Sequence, residues 1–125
     1  MPPSRPTRWM LATLTVLLAV GVAVAAQPAD PPPERWTGQV EAYEKRDAQD
    51  PPPAGGVVFA GSSSIRMWTD LEEAMKPVIA LKRGIGGSHV SDQIYWADRL
   101  VLCYKPRQIV FYAGDNDVAG GKRGR

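Results

Sequence analysis

The chain has 125 residues, with 15 basic and 13 acidic side chains, one cysteine and one histidine. The single cysteine excludes an internal disulfide, and one cysteine with one histidine argues against a metal site. Arg5 and Arg8 lie in the N-terminal segment, just before an apolar run, and setting these two aside leaves 13 basic against 13 acidic residues. The rest of the chain therefore has no net charge, which does not favour binding to nucleic acid or to an anionic membrane surface.

Residues 1–26 have the pattern of a secretory signal peptide. The positive charges of Arg5 and Arg8 precede an apolar run over residues 9–24, and small residues at 24–26 provide a cleavage site. We therefore expect export, to the periplasm or out of the cell. The alternative is an uncleaved membrane anchor, because the run approaches the roughly 18 residues that span a bilayer.

Residues 27–54 read as a proline-rich spacer followed by a polar helix. The helix is predicted over residues 34–50, with Trp36, Val40 and Tyr43 on one face. We expect this helix to lie across the outside of a sheet. Three prolines and a glycine pair then turn the chain into the main domain, which is assigned to residues 55–125.

The main domain alternates apolar runs with helical patterns. Strands are predicted at residues 57–60, 78–81 and 108–113, and helices at 65–76 and 91–102. This order predicts an α/β fold with a parallel sheet and right-handed crossovers. The second helix is expected to bury one face, and the nearby Cys103 is expected to be a buried structural thiol; that face comprises Ile94, Ala97, Val101 and Leu102.

Each predicted strand ends in glycine and small polar residues. These segments are residues 61–64, residues 82–89 and residues 114–117. The carboxyl ends of parallel strands share one edge of the sheet, where ligands bind in open α/β folds. Three such segments favour a binding or catalytic site, although serines after a strand can also serve only as helix caps.

The side chains in these segments suit acyl transfer. A serine hydroxyl can attack an ester carbonyl when a base takes its proton, and the oxyanion that forms needs donors already in place. Candidate donors are the backbone N–H groups of Ser63 and Gly86 and the side-chain amide of Asn116.

These three blocks together resemble the SGNH (GDSL-type) hydrolase superfamily. Residues 61–63 resemble its Gly-Asp-Ser block with Ser62 in place of aspartate, Gly86 matches its second-block glycine, and residues 114–117 match Gly-x-Asn-Asp. The resemblance implies a flavodoxin-like, three-layer α/β fold and an ester hydrolase acting on acyl esters or acetylated carbohydrates. It implies Ser63 as nucleophile and Gly86 and Asn116 as oxyanion donors, with no metal or organic cofactor.

The resemblance stops short of the family's fourth block. No Asp-x-x-His occurs in the sequence, so the resemblance predicts a truncated hydrolase whose C-terminal part is missing. His89 is the one candidate base, although a surface or substrate-contacting role is favoured for this residue. Asp117 is expected to brace its loop, and Asp92 to be a surface charge.

Two alternatives stay open from the sequence. The chain could be a catalytically inactive, ligand-binding remnant of the same fold, or, with weaker support, a nucleotide-binding flavodoxin-like domain. A three-stranded sheet with open edges also predicts marginal stability, aggregation, or completion by another chain. The oligomeric state is left open.

Overall fold

The computed structural model describes residue 26 and residues 29–122. The strands are β1 (Val57–Gly61), β2 (Ala80–Gly84) and β3 (Gln108–Tyr112). They form a three-stranded parallel sheet in the order β2-β1-β3, with helices between the strands. The α-helices are α1 (Thr37–Gln49), α2 (Ser63–Met67), α3 (Leu71–Ala74), α4 (Val90–Tyr95), α5 (Ala97–Leu100) and α6 (Asp115–Ala119), and short 3₁₀ turns cover Pro33–Trp36 and Leu102–Tyr104.

The predicted α/β class and parallel sheet are confirmed, and the arrangement is compatible with a flavodoxin-like fold. All but one of the predicted signal-peptide residues lie outside the described residues. Among the helices that are described, none combines the length and apolar character needed to cross a membrane.

The central strand β1 is buried along its whole length, as its unbroken apolar run predicts. It carries apolar clusters on both faces. One face packs against α1, α4 and α5 through Val40, Trp96 and Leu100, and the opposite face packs against α2 and α3 through Ile65 and Leu71. The described domain therefore has three layers, with α1 lying on the sheet as expected.

Gly61 ends β1 in a conformation that only glycine accepts readily. Its φ is +148°, and a Cβ atom built there would collide with the carbonyl oxygen of Tyr112 on β3. The close approach lets the Ser62 N–H donate to that carbonyl at 3.0 Å. A glycine at the end of β1 is thus required for the first polar segment to leave the sheet where it does.

The helix expected over residues 65–76 is two short helices, α2 and α3, so the single-helix prediction was wrong. The chain leaves helical geometry at Trp68, and both Ile65 and Leu71 enter the same apolar cluster. Six residues apart, these two side chains would lie on different sides of one continuous helix. The break after α2 lets both be buried.

The second strand begins two residues later than predicted and continues through Lys82 and Arg83 to Gly84. The sequence interpretation placed these two charged residues in a loop. Arg83 is instead fully buried, with 0% of its surface exposed. Its guanidinium donates to both carboxylate oxygens of Asp47 on α1 at 2.7 Å and lies between the rings of Tyr43 and Tyr104.

The helix expected over residues 91–102 is divided at Trp96, and its predicted buried face is only partly correct. Val101 is buried, but Ile94 is 71% exposed and Leu102 is 52% exposed. Trp96 takes the buried position instead. Cys103 is also exposed, with its Sγ 3.2 Å from the carbonyl oxygen of Arg99, so the expectation of a buried thiol was wrong.

Strand β3 lies at one edge of the sheet and, within residues 29–122, pairs with β1 alone. Its side chains Ile109, Phe111 and Tyr112 are about half exposed. Ile109 and Phe111 line an apolar cavity of about 190 Å³ together with Ile94 and Leu102. An uncharged edge strand with exposed apolar residues invites pairing with another chain, so aggregation or completion by a partner stays a prediction.

Candidate active site

The three polar segments meet at the carboxyl edge of the sheet. In the parallel register, Gly61 at the end of β1 lies beside Gly84 of β2 and Tyr112 of β3. The Ile85 N–H donates to the Gly61 carbonyl at 2.8 Å, which joins the segment after β2 to that after β1. The structure therefore places Ser63, Gly86 and Asn116 on the same edge, each just after a different strand.

A buried hydrogen-bond network ties these segments together. The Gln93 side-chain amide donates to the Gly61 carbonyl and to the Ser88 hydroxyl, each at 2.8 Å. The Ser88 carbonyl accepts from the Asn116 amide at 2.9 Å. Both Gln93 and Ser88 are buried, and the Gln93 amide nitrogen and the Ser88 hydroxyl each have partners within the protein. Sequence reasoning missed Gln93, although an amide inside an apolar helical pattern is a usable signal.

The serines after β1 do not act as ordinary helix caps. Ser62 is the N-cap residue of α2, yet its side chain makes no capping hydrogen bond. It is only 1% exposed, and its hydroxyl has no partner among the residues that the structure describes. Ser63, half-buried, is the first residue of α2, so its N–H has no acceptor one turn back in that helix. Side-chain capping therefore does not explain this run of serines.

The Gly86 N–H, one expected oxyanion donor, faces the side chain of Gln39 on α1. It donates to the Gln39 Oε1 at 3.3 Å, which is long for a hydrogen bond. A Cβ atom at position 86 would lie 3.0 Å from the Arg66 Cδ, so the Arg66 stem runs directly over the glycine. Sequence reasoning identified neither Gln39 nor Arg66 as neighbours of this donor.

Replacing Gln39 with methionine is expected to free the Gly86 N–H. The new side chain has similar length and cannot compete with a substrate oxygen for this donor. A net hydrogen bond contributes about 0.5–1.5 kcal/mol, so under the ester-hydrolase expectation from the sequence kcat/KM for a small ester in imidazole buffer should rise about two- to tenfold. Steady-state kinetics measures the change, with Glu41→Met on the same helix as the control. An unchanged kcat/KM would show that Gln39 does not compete at this donor.

Asn116, in the third segment, is held to the second segment by one of its two amide hydrogens. The Asn116 Nδ2 donates one hydrogen to the Ser88 carbonyl, and within residues 29–122 the second hydrogen has no acceptor. Asp117 accepts from the Val90 N–H at 3.0 Å and from the Lys122 ammonium at 3.1 Å. The expectation that Asp117 braces its loop agrees with these contacts.

His89 precedes α4 and pairs with the N-terminal spacer. Its Nδ1 lies 3.1 Å from the Asp30 Oδ1. Lys122 also hydrogen-bonds to Asp30, and this contact holds the pKa of the Asp30 carboxyl well below its usual range. In the described part of the chain, no hydrogen bond joins His89 to Ser63. The arrangement gives Ser63 no base and gives His89 a carboxylate partner.

Asp92 was expected to be a surface charge, and that expectation was wrong. The residue is 1% exposed, and its carboxylate accepts from the Arg35 guanidinium at 2.6 Å and from the His89 N–H at 2.8 Å. A buried carboxylate needs such partners to remain charged. Arg35 lies 57 residues away in sequence, so helix position alone could not reveal the pairing.

The chain has no significant match among protein-family models or curated proteins. Among solved structures, it is similar to a chain from Streptococcus pneumonia described as "a putative platelet activating factor", with a TM-score of 0.54 and 15% sequence identity. The similarity covers 67% of this chain and 39% of that one, so this chain spans about two fifths of its neighbour's length. At this identity the likeness supports the α/β fold alone.

Proposed function

We propose that the chain carries the nucleophile and the oxyanion donors of an exported SGNH-type ester hydrolase. The observation that carries this proposal is the network joining Gly61, Ser88 and Asn116, which holds the three segments together after three parallel strands. The resemblance of residues 61–63, Gly86 and residues 114–117 to the family's blocks supports the same assignment. Substrates would be acyl esters or acetylated carbohydrates.

In this mechanism the Ser63 hydroxyl attacks the ester carbonyl while a base takes its proton. The carbonyl π electrons move to oxygen, and the N–H groups of Ser63 and Gly86 and the Asn116 amide stabilise the resulting negative charge. Collapse of this intermediate expels the alcohol, which takes a proton from the protonated base, and leaves an ester on Ser63. Water then releases the acid by the same two steps.

The base is the part of this mechanism that the described residues do not supply. A serine without a base is a weak nucleophile at neutral pH. Free imidazole in the buffer can act as an external base, since its neutral form accepts a proton near pH 7. We therefore expect Ser63-dependent hydrolysis of an acetyl ester to increase with imidazole concentration.

The experiment compares the native chain with Ser63→Ala and Ser64→Ala over an imidazole series. Ser64 is exposed and adjacent, so its removal is a matched control. The Ser63→Ala chain also gives the background that imidazole itself produces in solution. The proposal expects a rate above this background for the native chain and for Ser64→Ala. Equal rates for all three chains would contradict it.

A second candidate is a ligand-binding remnant that keeps the site but does not turn over. The contact of His89 with Asp30 and the occupation of the Gly86 N–H by Gln39 favour this candidate. It predicts that a hydrolysis product such as acetate, or an uncleaved ester, binds at the sheet edge. Under it, no imidazole-dependent rate would be lost in Ser63→Ala.

A further inference from the structure

A pocket of about 260 Å³ lies between α1 and α2, beside the proposed active site. One side is a single face of α1, where residues recur at helical spacing. The other side is Arg66, which lies one helical turn after Ser63. The lining residues are Gln39, Ala42, Tyr43, Arg46 and Arg66.

Gly84 sets how closely α2 lies against the end of β2, on one side of the pocket. A Cβ atom at this position would collide with the backbone of Arg66, so the glycine allows α2 to approach the end of β2. The Tyr43 hydroxyl donates to the Gly84 carbonyl at 2.8 Å and fixes α1 against the same point. The two helices are thus held at a set separation, with the Gly86 N–H directed to Gln39 between them.

The charges in this pocket are not balanced. The Arg46 guanidinium bonds to Glu72 at 3.2 Å and lies 4.0 Å from Asp47. Arg66, by contrast, has no carboxylate within 4.0 Å in residues 29–122. Its stem is held over Gly86, with the Arg66 Nη1 3.3 Å from the position of a Cβ on that glycine. One guanidinium is therefore positioned at the pocket without a charge partner.

A guanidinium presents several N–H groups in one plane, and it binds carboxylates and phosphates through paired hydrogen bonds. We propose that this pocket binds an anionic group, a carboxylate or a phosphate, on the ester substrate, with Arg66 as its charged ligand. The pocket has room for a group about the size of one sugar ring. This inference rests on the proposed function and adds that the enzyme selects anionic esters over neutral ones.

Binding can be tested without turnover. The full chain, labelled with ¹⁵N, is titrated at low ionic strength with glucuronate, glucose 6-phosphate and glucose, and amide shifts are followed by NMR. The two anions are expected to shift the amides around Gly86 and Arg66 and to bind at least about tenfold more tightly than glucose. The comparison between them identifies which anion fits better. Binding no tighter than that of glucose for both anions would overturn the proposal.

Single substitutions distinguish anion binding at Arg66 from non-specific attraction to any exposed arginine. Arg66→Gln is expected to weaken anion binding about tenfold or more, and Arg66→Lys should retain part of it. Arg107 is exposed, and its side chain makes no hydrogen bond or ion pair within the described residues, so Arg107→Gln is the matched control and should bind as the native chain does. Thermal unfolding of each variant checks that the fold is retained. Equal losses in Arg66→Gln and Arg107→Gln would contradict the assignment.

Different experimental results would contradict the proposed anion pocket and the proposed function. Ser63→Ala should leave anion binding unchanged, because Ser63 does not line the pocket. If imidazole-dependent hydrolysis requires Ser63 but anions bind no better than glucose, the pocket assignment is wrong and the hydrolase proposal stands. If anions bind through Arg66 while hydrolysis does not depend on Ser63, the hydrolase proposal is wrong and the site is a binding site alone.

Discussion

Replacing Asp47 with alanine is expected to lower the free energy of unfolding by about 3–5 kcal/mol. The change would leave the Arg83 guanidinium without its carboxylate in a fully buried position on β2. The Tyr104 hydroxyl would lose the same partner, since it also donates to Asp47. A loss of this size is a large part of the total stability of a small domain. Partial unfolding of Asp47→Ala at room temperature would therefore also agree with the prediction.

Chemical denaturation by urea measures the effect, with Asp50→Ala as the matched control. Asp50 is exposed just beyond α1 and its carboxylate makes no hydrogen bond or ion pair within the described residues, so its loss should change stability by less than about 0.5 kcal/mol. The double change Asp47→Leu with Arg83→Met should be much less costly than Asp47→Ala, because it removes both charges together. A loss below about 1 kcal/mol for Asp47→Ala would show that Arg83 is not buried as described.

Replacing Asn116 with alanine is expected to lower kcat for an acetyl ester by about 10²–10³-fold in imidazole buffer. The reason is the loss of a positioned amide hydrogen where negative charge develops on the substrate oxygen. The effect should fall on the chemical step, so KM should change little. Steady-state kinetics with a chromogenic acetyl ester measures both parameters after the Ser63→Ala background is subtracted.

Asn116 also holds the second segment through the Ser88 carbonyl, so a structural effect must be separated from a catalytic one. Asp115→Ala is the control, since Asp115 is exposed in the same turn. Thermal unfolding should show that Asn116→Ala remains folded at the assay temperature. Loss of less than about threefold in kcat, with the chain still folded, would remove Asn116 from the oxyanion site.

The sheet could be predicted from the sequence because its strands are short apolar runs between glycine and proline. β1 and β3 were located to within one residue, and their parallel order followed from the alternation with helices. The end of β2 was misplaced because Lys82 and Arg83 look like loop residues in isolation. Arg83 remains in the strand since Asp47, 36 residues earlier, supplies its counter-charge, and no local pattern shows that pairing.

The location of the candidate site could likewise be predicted from local sequence patterns, whereas its neighbouring residues could not. Local motifs were sufficient to bring Ser63, Gly86 and Asn116 to one sheet edge, because that placement depends only on strand order. Gln39 was missed since it reaches Gly86 from a helix 47 residues away. The two broken helices were missed because the breaks depend on which side chains reach the core, and sequence periodicity alone does not determine this.

The assignment of Ser63 as nucleophile can be tested by locating the acyl group on the protein. The native chain is treated with an activated acetyl ester in imidazole buffer and quenched in acid, and its peptides are mapped by mass spectrometry. We expect an acetyl group on Ser63 that persists in Ser64→Ala and is reduced several-fold in Asn116→Ala. If Ser63 carries no acetyl group under conditions where the chain accelerates hydrolysis, Ser63 is not the nucleophile and the central claim is wrong.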